Sequence, residues 1–192
     1  MPDPNPAAFD FLSTRRSRPS KTLAGPWPTA QDLKPLLTAA ARVPDHGKLE
    51  PWRFVVLTGA ALPRLGAETR AFGAAQGIDA DKVAKAATAL ETSGCAVVVV
   101  TSPKPSEKVP QIEQVYSAGA VCLGLVNAAL ASGWGANWLS GWHSHTPDFV
   151  QAHLGLKPHE TVAGIIHIGS ETTAPPERPR PDIDALTTWL DQ

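Results

Sequence analysis

Ala96-Val97-Val98-Val99-Val100-Thr101 is an unbroken apolar run that closes on a threonine. Four consecutive valines cannot alternate between a wet face and a dry one. The run therefore reads as a strand buried on both faces, which requires helices above and below it. Moving outward, Trp52-Arg53-Phe54-Val55-Val56-Leu57 is a second β-branched and aromatic run, and Thr161 to Gly169 is a third. Ala136 to Gly141 reads as a short strand after the Gly133-Trp134-Gly135 break. Between these lie helical patterns. Ala60 to Ala75 and Asp81 to Glu91 are alanine-rich and broken near Gly77, Gln111 to Ser132 is the longest, and Pro147 to Leu154 is short. Strands separated by helices argue for an α+β or α/β sandwich, with helices on both faces of one sheet.

The flanking segments refine this layout. Ala7 to Arg16 has helical character and must stop before Arg18-Pro19, because a residue preceding proline avoids the helical region. Leu33, Leu36, Leu37, Ala40 and Ala41 form an amphipathic stripe behind a Thr29/Asp32 capping pair. Pro35 is awkward in mid-turn, which favours a helix start at Asp32. Ala120, Gly124, Ala128 and Ser132 make a ridge of small residues that admits a close helix, either from a symmetry mate or from within the chain. Ser102 to Pro110 is a polar, proline-rich loop suited to a mobile lid. Ala174 to Asp182 must be extended, ahead of an Ile183–Leu190 segment expected to dock.

Composition bounds the rest. The 192 residues fit one domain spanning 1–192, with 43% hydrophobic and 18% charged residues. A net charge of −1 offers no footprint for nucleic acid. Cys95 and Cys122 both sit in apolar runs and suit reduced core positions, though one disulfide stays open. The N-terminus lacks the basic and apolar regions of a signal peptide. The longest small-apolar stretch, Ala118 to Ala131, falls short of the ~20 residues of a membrane span. The expectation is a cytoplasmic protein with neither nucleic-acid nor membrane partners.

Two stretches carry candidate chemistry. Arg42-Val43-Pro44-Asp45-His46-Gly47-Lys48-Leu49-Glu50-Pro51 connects a helix to a strand, and can either present Arg42, His46 and Lys48 to an anion or simply hold solvated charges. Arg15-Arg16-Ser17 lies where a helix gives way to extended chain. If extended, Arg15 and Ser17 share a face and Arg16 points away. A helix C-terminus repels anions, so a phosphate there must be held by side chains. The phosphate-binding glycine loops are absent. His143 and His145 could share a strand face but lack a third metal ligand, and His167 reads as a satisfied core histidine.

Four pieces in order form a larger pattern: Arg15-Arg16-Ser17; Arg42-x-Pro44-Asp45-His46 with Glu50-Pro51-Trp52-Arg53-Phe54; Val109-Pro110 with Glu113-Gln114 and Ser117-Ala118-Gly119; and Gly133-Trp134-Gly135 before Trp138-Leu139-Ser140-Gly141. This set resembles the FMN-dependent nitroreductase family, and most of all its minimal-size bacterial members, over nearly the whole chain. The resemblance implies a three-layer α/β/α sandwich with a central mixed sheet, assembled as an intertwined homodimer with FMN at the subunit interface. It implies FMN contacts from Arg15, Arg16 and Ser17 of one subunit, with Trp138, Leu139 and Ser140 lining the flavin. Arg42 and His46 would come from the other subunit. Ala128, Ala129, Leu130, Ala131, Ser132 and Gly133 match a stretch assigned to the nicotinamide nucleotide. Leu139 stands where close relatives often carry arginine, and Glu50 replaces a common glutamine.

The implied activity is an NAD(P)H oxidoreductase that uses NADH or NADPH to reduce nitroaromatic, quinone or similar small-molecule acceptors through bound flavin. No catalytic side chain and no metal are implied, since the flavin carries the chemistry. The other readings are a flavin-storage protein without efficient turnover, or a family member with different flavin chemistry.

Overall fold

The computed structural model describes residues 3–191. Strand β3 (Cys95–Thr101) is buried along its whole length, as the valine run requires. Cys95, Val97 and Val99 point into one apolar layer, and Ala96, Val98 and Val100 into the other. The first layer is closed by Leu33, Leu36 and Ala40 of α2 (Ala30–Ala40) and by Val121, Cys122, Leu125, Val126 and Ala129 of α5 (Gln111–Ala131). The second is closed by Leu62 and Leu65 of α3 (Ala61–Ala75), Leu90 of α4 (Ala80–Glu91), and Phe149, Val150 and Leu154 of α6 (Pro147–Leu154). The molecule is thus a three-layer α/β/α sandwich.

Strand β5 (Thr161–Glu171) is the axis of the sheet. It pairs with β3 through Thr161–His167 and with β4 (Gly135–Leu139) through Ile165–Gly169. These ranges overlap, so β3 and β4 occupy opposite edges of β5. Strand β2 (Trp52–Thr58) flanks β3, and β1 (Leu23–Ala24) pairs with the last two residues of β5. Every pairing among the described residues is antiparallel. The sheet is therefore not the mixed one expected. Connection geometry explains this. β2 and β3 are joined by the hairpin of α3 and α4, and two antiparallel helices return the chain to its starting end. The single helix α5 joins β3 to β4, which do run the same way, but β5 lies between them.

Helix boundaries follow the sequence closely, except that the first helix ends at Thr14 and not at Arg16, and that the second helix and the C-terminal segment also depart. Helix α2 starts at Ala30, not Asp32, because Thr29 and Asp32 form the full reciprocal capping box. Pro35 is carried inside the helix, where the carbonyl it leaves unbonded belongs to exposed Gln31. The Gly124 position lies against α2: an added Cβ would sit 3.1 Å from the Ala40 carbonyl oxygen. The small-residue ridge thus serves helix packing within the chain. Finally, Ile183–Leu190 does not dock. Only α7 (Ile183–Leu186) forms, and Trp189 and Leu190 are 86% and 90% exposed. Helix α5 is long and apolar enough to cross a membrane, yet its middle is embedded between α2 and the sheet.

Candidate functional site

Helix α1 (Pro6–Thr14) ends one residue before Arg15, whose φ of −55° and ψ of 143° start an extended segment. Extended backbone alternates its side chains, and this separates the two arginines. Arg15 Nη2 donates to Ser17 Oγ at 3.1 Å. Arg16 turns away, donating to the Pro176 carbonyl and lying 3.4 Å from Glu177 Oε1. Arg18 donates to Glu171 Oε2 at 2.8 Å, and Arg180 sits 2.9 Å from Glu177 Oε1. Among the described residues Arg15 has no carboxylate partner, and its Nε is buried without an acceptor. Burial, followed by repulsion from Arg180, Arg16 and Arg18, holds its guanidinium below the usual value. A buried, unpaired N–H inside a surplus of positive charge is what a phosphate completes. Sequence patterning does not single out Arg180; its only signal there is a position in the proline-rich Arg178-Pro179-Arg180-Pro181 tract.

A cleft of about 820 Å³ opens where the chain continues past Arg18. Pro19, Ser20 and Lys21, which follow Arg18, form one lip, and Lys82, Lys85 and Thr88 of α4 stand on another side. The sheet supplies Asn137, Leu139, Ile165 and His167, and the chain beyond β4 adds Ser140, Gly141, Trp142 and His143. Three lysines and no carboxylate line the space, so it favours anions. None of these lysines stands out in the sequence.

The period of two along β4 divides the predicted Trp138-Leu139-Ser140 set. Leu139 and Ser140 line the cleft. Trp138 lies on the opposite face of the sheet, across Gly164, where a Cβ would come within 2.1 Å of its indole Nε1. Its ring cannot line the cleft from there.

Trp142–His145 is a 3-10 turn. The two imidazoles expected on one strand face therefore diverge: His143 is buried and His145 exposed. Among the described residues no three metal-ligating side chains converge. His167, expected to be a satisfied core histidine, is buried with its Nδ1 unpartnered. Burial pushes both His143 and His167 down to about 4, each with a smaller contribution from a neighbouring histidine. Both imidazoles are neutral at pH 7. Cys95 and Cys122 are free, and burial raises their thiols to about 11 and about 12, which removes them as nucleophiles.

Arg42 and His46 do not reach this cleft. Their loop belongs to the α2/α5 side, where Ser117 Oγ donates to the Pro44 carbonyl and His46 Nδ1 lies 2.7 Å from Glu113 Oε2. The Asp45 carboxylate accepts from the backbone N–H groups of Leu49 and Glu50. It thereby holds left-handed conformations at Gly47 (φ 75°), Lys48 (φ 53°) and Glu50 (φ 48°), the last two strained because they carry side chains. Both Arg42 and His46 are exposed. The stretch Ala128–Gly133 is the last turn of α5 and its cap. Ala129 is sealed in the core and none of the six residues lines the cleft. The Ser102–Pro110 loop is pinned, not free: Gln114 bonds both the N–H and the carbonyl of Lys104, and Ser106 Oγ accepts from Val109.

The model of the nitroreductase family matches residues 12–170. The chain belongs to the nitroreductase family. Among curated nitroreductase relatives, the Escherichia coli K12 protein named "Putative NAD(P)H nitroreductase YdjA" is 32% identical over 163 residues, spanning 85% of this chain and 87% of that protein. A Haemophilus influenzae protein named "Putative NAD(P)H nitroreductase" is 33% identical over 165 residues, spanning 85% and 88%. The fold matches a nitroreductase-like family protein from Bacillus cereus at a TM-score of 0.80, with 21% identity and full coverage of both chains. It also matches a Desulfovibrio desulfuricans protein crystallised in complex with FMN, at a TM-score of 0.74 and 19% identity over 98% and 99% of the chains.

Proposed function

We propose that this nitroreductase-family chain is an FMN-dependent oxidoreductase that draws electrons from NADH or NADPH and reduces a small-molecule acceptor such as a nitroarene or quinone. The observation that carries the reading is the unpaired, buried Arg15 Nε within an arginine cluster, four residues in sequence before Pro19 at the edge of an anion-favouring cleft. Bound FMN would supply the hydride chemistry. Arg15, Ser17 and Arg180 hold its phosphate, while Leu139, Ser140 and the backbone of Trp138 border the ring. Arg16 contributes charge and ties the C-terminal segment in place. The nicotinamide nucleotide is assigned to the same cleft and not to Ala128–Gly133, because the C-terminal end of a helix repels a pyrophosphate.

Arg42 and His46 complete the site of a second copy in a homodimer. Their exposure supports this, as does the apolar surface a lone chain would leave wet on α1, α5 and the C-terminal segment. The two free cysteines suit a reducing cytoplasm.

The test is the absorbance spectrum of the purified protein. It should be yellow, release FMN and not FAD on denaturation, and bleach on anaerobic addition of NADPH or NADH. Colourless protein that cannot be reconstituted with FMN sinks the reading. Flavin that neither nucleotide reduces means storage without turnover.

A further inference from the structure

Two buried imidazoles share one end of the cleft, and neither holds the phosphate nor borders the ring in the proposed function. His143 folds back over the end of β4: a Cβ on Gly141 would meet its Cε1 at 3.0 Å and its Nδ1 at 3.1 Å. His167 rises from β5 opposite Asn137 of β4. An aromatic cluster backs His143, with Trp142 at 5.6 Å and Phe149 at 6.0 Å between ring centroids. Both histidines line the cleft and both have a sealed, unpartnered Nδ1.

That sealed atom decides the tautomer. A neutral imidazole carries one N–H and one bare lone pair. An orphaned, buried N–H is rarer and costlier than an acceptor left idle. The proton therefore belongs on Nε2 of each ring, which is not among the sealed, unpartnered atoms. The cleft thus receives two uncharged N–H donors from a floor that is otherwise largely apolar.

We propose that His143 and His167 are positioning residues for the flavin ring, donating from Nε2 to its ring acceptors and raising its reduction potential. The inference rests on the FMN reading. Reduction adds electron density to the ring's oxygens and nitrogens, so N–H donors bind the reduced form more tightly than the oxidised form. Donors that are neutral gain this preference without the desolvation cost of a buried cation. Burial holds both rings in that neutral state at physiological pH.

The experiment compares wild type with His167→Leu, His167→Gln, His143→Leu and His143→Gln, each reconstituted with FMN. The readouts are the midpoint potential measured against redox dyes, the FMN dissociation constant, and the melting temperature of the flavin-free protein. Each leucine variant should lose about tenfold in preference for reduced over oxidised FMN, a potential about 30 mV more negative. Each glutamine variant places an N–H near the Nε2 position and should recover most of the shift. The flavin-free leucine variants should melt no lower than wild type, because a buried orphan has been removed.

Equal potentials across wild type and variants overturn the inference. So do equal shifts in leucine and glutamine variants, which would mark a packing effect. If one site fails to fold on substitution, the leucine and glutamine variants at the other site decide the matter by the same comparison. Wild-type protein that takes up no FMN overturns the cofactor reading together with this one, whereas bound FMN at an unchanged potential overturns this one alone.

Discussion

Arg15 and Arg16 are neighbours in sequence with different partners, and the difference comes from backbone geometry. Helix α1 ends at Thr14, so Arg15 lies on the same side as Ser17 while Arg16 is engaged by Pro176 and Glu177. Arg15→Ala should weaken FMN binding by roughly ten- to a hundredfold, the worth of one or two charge-assisted bonds, and Arg16→Ala by much less. Equilibrium titration of FMN against the flavin-free variants checks the order; the reverse order would mean that the helix continues through Arg16 in solution. The buried histidines make a second prediction at this scale. Their folded pKa values lie near 4, below the ordinary 6.5. As pH falls through that window the unfolded chain takes up protons that the folded chain refuses, so stability drops with acidification. Each ring accounts for about 2–3 kcal/mol between pH 7.5 and 4.5. Urea unfolding of His167→Leu should show a pH dependence flatter by that amount, and an unchanged slope would contradict the assignment.

Elements are joined by a few specific contacts. Arg53 of β2 reaches Glu160, just before β5, through bonds of 2.8 and 2.7 Å, and Lys157 N–H adds a third at 2.8 Å. The Glu160 side chain is 1% exposed, and the Arg53 bond, ahead of the other hydrogen bonds, lowers its carboxyl to about 2. The pair's contribution is complete above the ordinary carboxylate range and fades as pH falls from about 4.5 towards 2. Glu160→Gln should cost about 2–3 kcal/mol at pH 7, less than for a fully buried pair because Arg53 is partly wet. Chemical denaturation should show the gap to wild type closing in acid. Gly124 is the other joint. Leucine there would drive into the Ala40 backbone at about 3 Å, so Gly124→Leu should cost ~3 kcal/mol or more by prising α2 off α5. Thermal melts should record the loss, while sedimentation of the folded fraction should show an unaltered oligomeric state.

A single chain leaves a large apolar area uncovered. Phe9 and Leu12 of α1, Ile112, Tyr116 and Leu123 of α5, and Ile183, Leu186, Trp189 and Leu190 near the C-terminus are all exposed. In the proposed homodimer a second copy would bury such a surface, and it would also bring Arg42 and His46 to a cleft they do not line in their own chain. The protein should sediment as a dimer at micromolar concentration. Truncation after Asp182 should weaken that dimer and lower flavin content several-fold together, since an obligate dimer couples folding, association and ligand. A full-length monomer with full flavin occupancy would show that each chain builds its own site and that Arg42 and His46 serve no neighbour.

What the sequence settled by itself is whatever short-range physics governs. The valine run demanded a strand with two dry faces, and Gly77 marked the break between α3 and α4; the separation of Arg15 from Arg16 followed only on the condition that their segment is extended, which the end of α1 at Thr14 met. The ordered motifs made the family legible. What needed the tertiary structure were relations between distant residues. The small-residue ridge on α5 suits any close helix, and only the position of Ala40 made that helix α2. Periodicity recorded the helices that join the strands but not which strands pair, and it is β5 lying between β3 and β4 that leaves every pairing antiparallel. Arg180 joins Arg15 across more than 160 positions by the course of a proline-rich segment with no periodic signal. His167 looked like any histidine in a buried strand, because whether a buried nitrogen finds a partner depends on the atoms that other elements bring within about 3 Å of it.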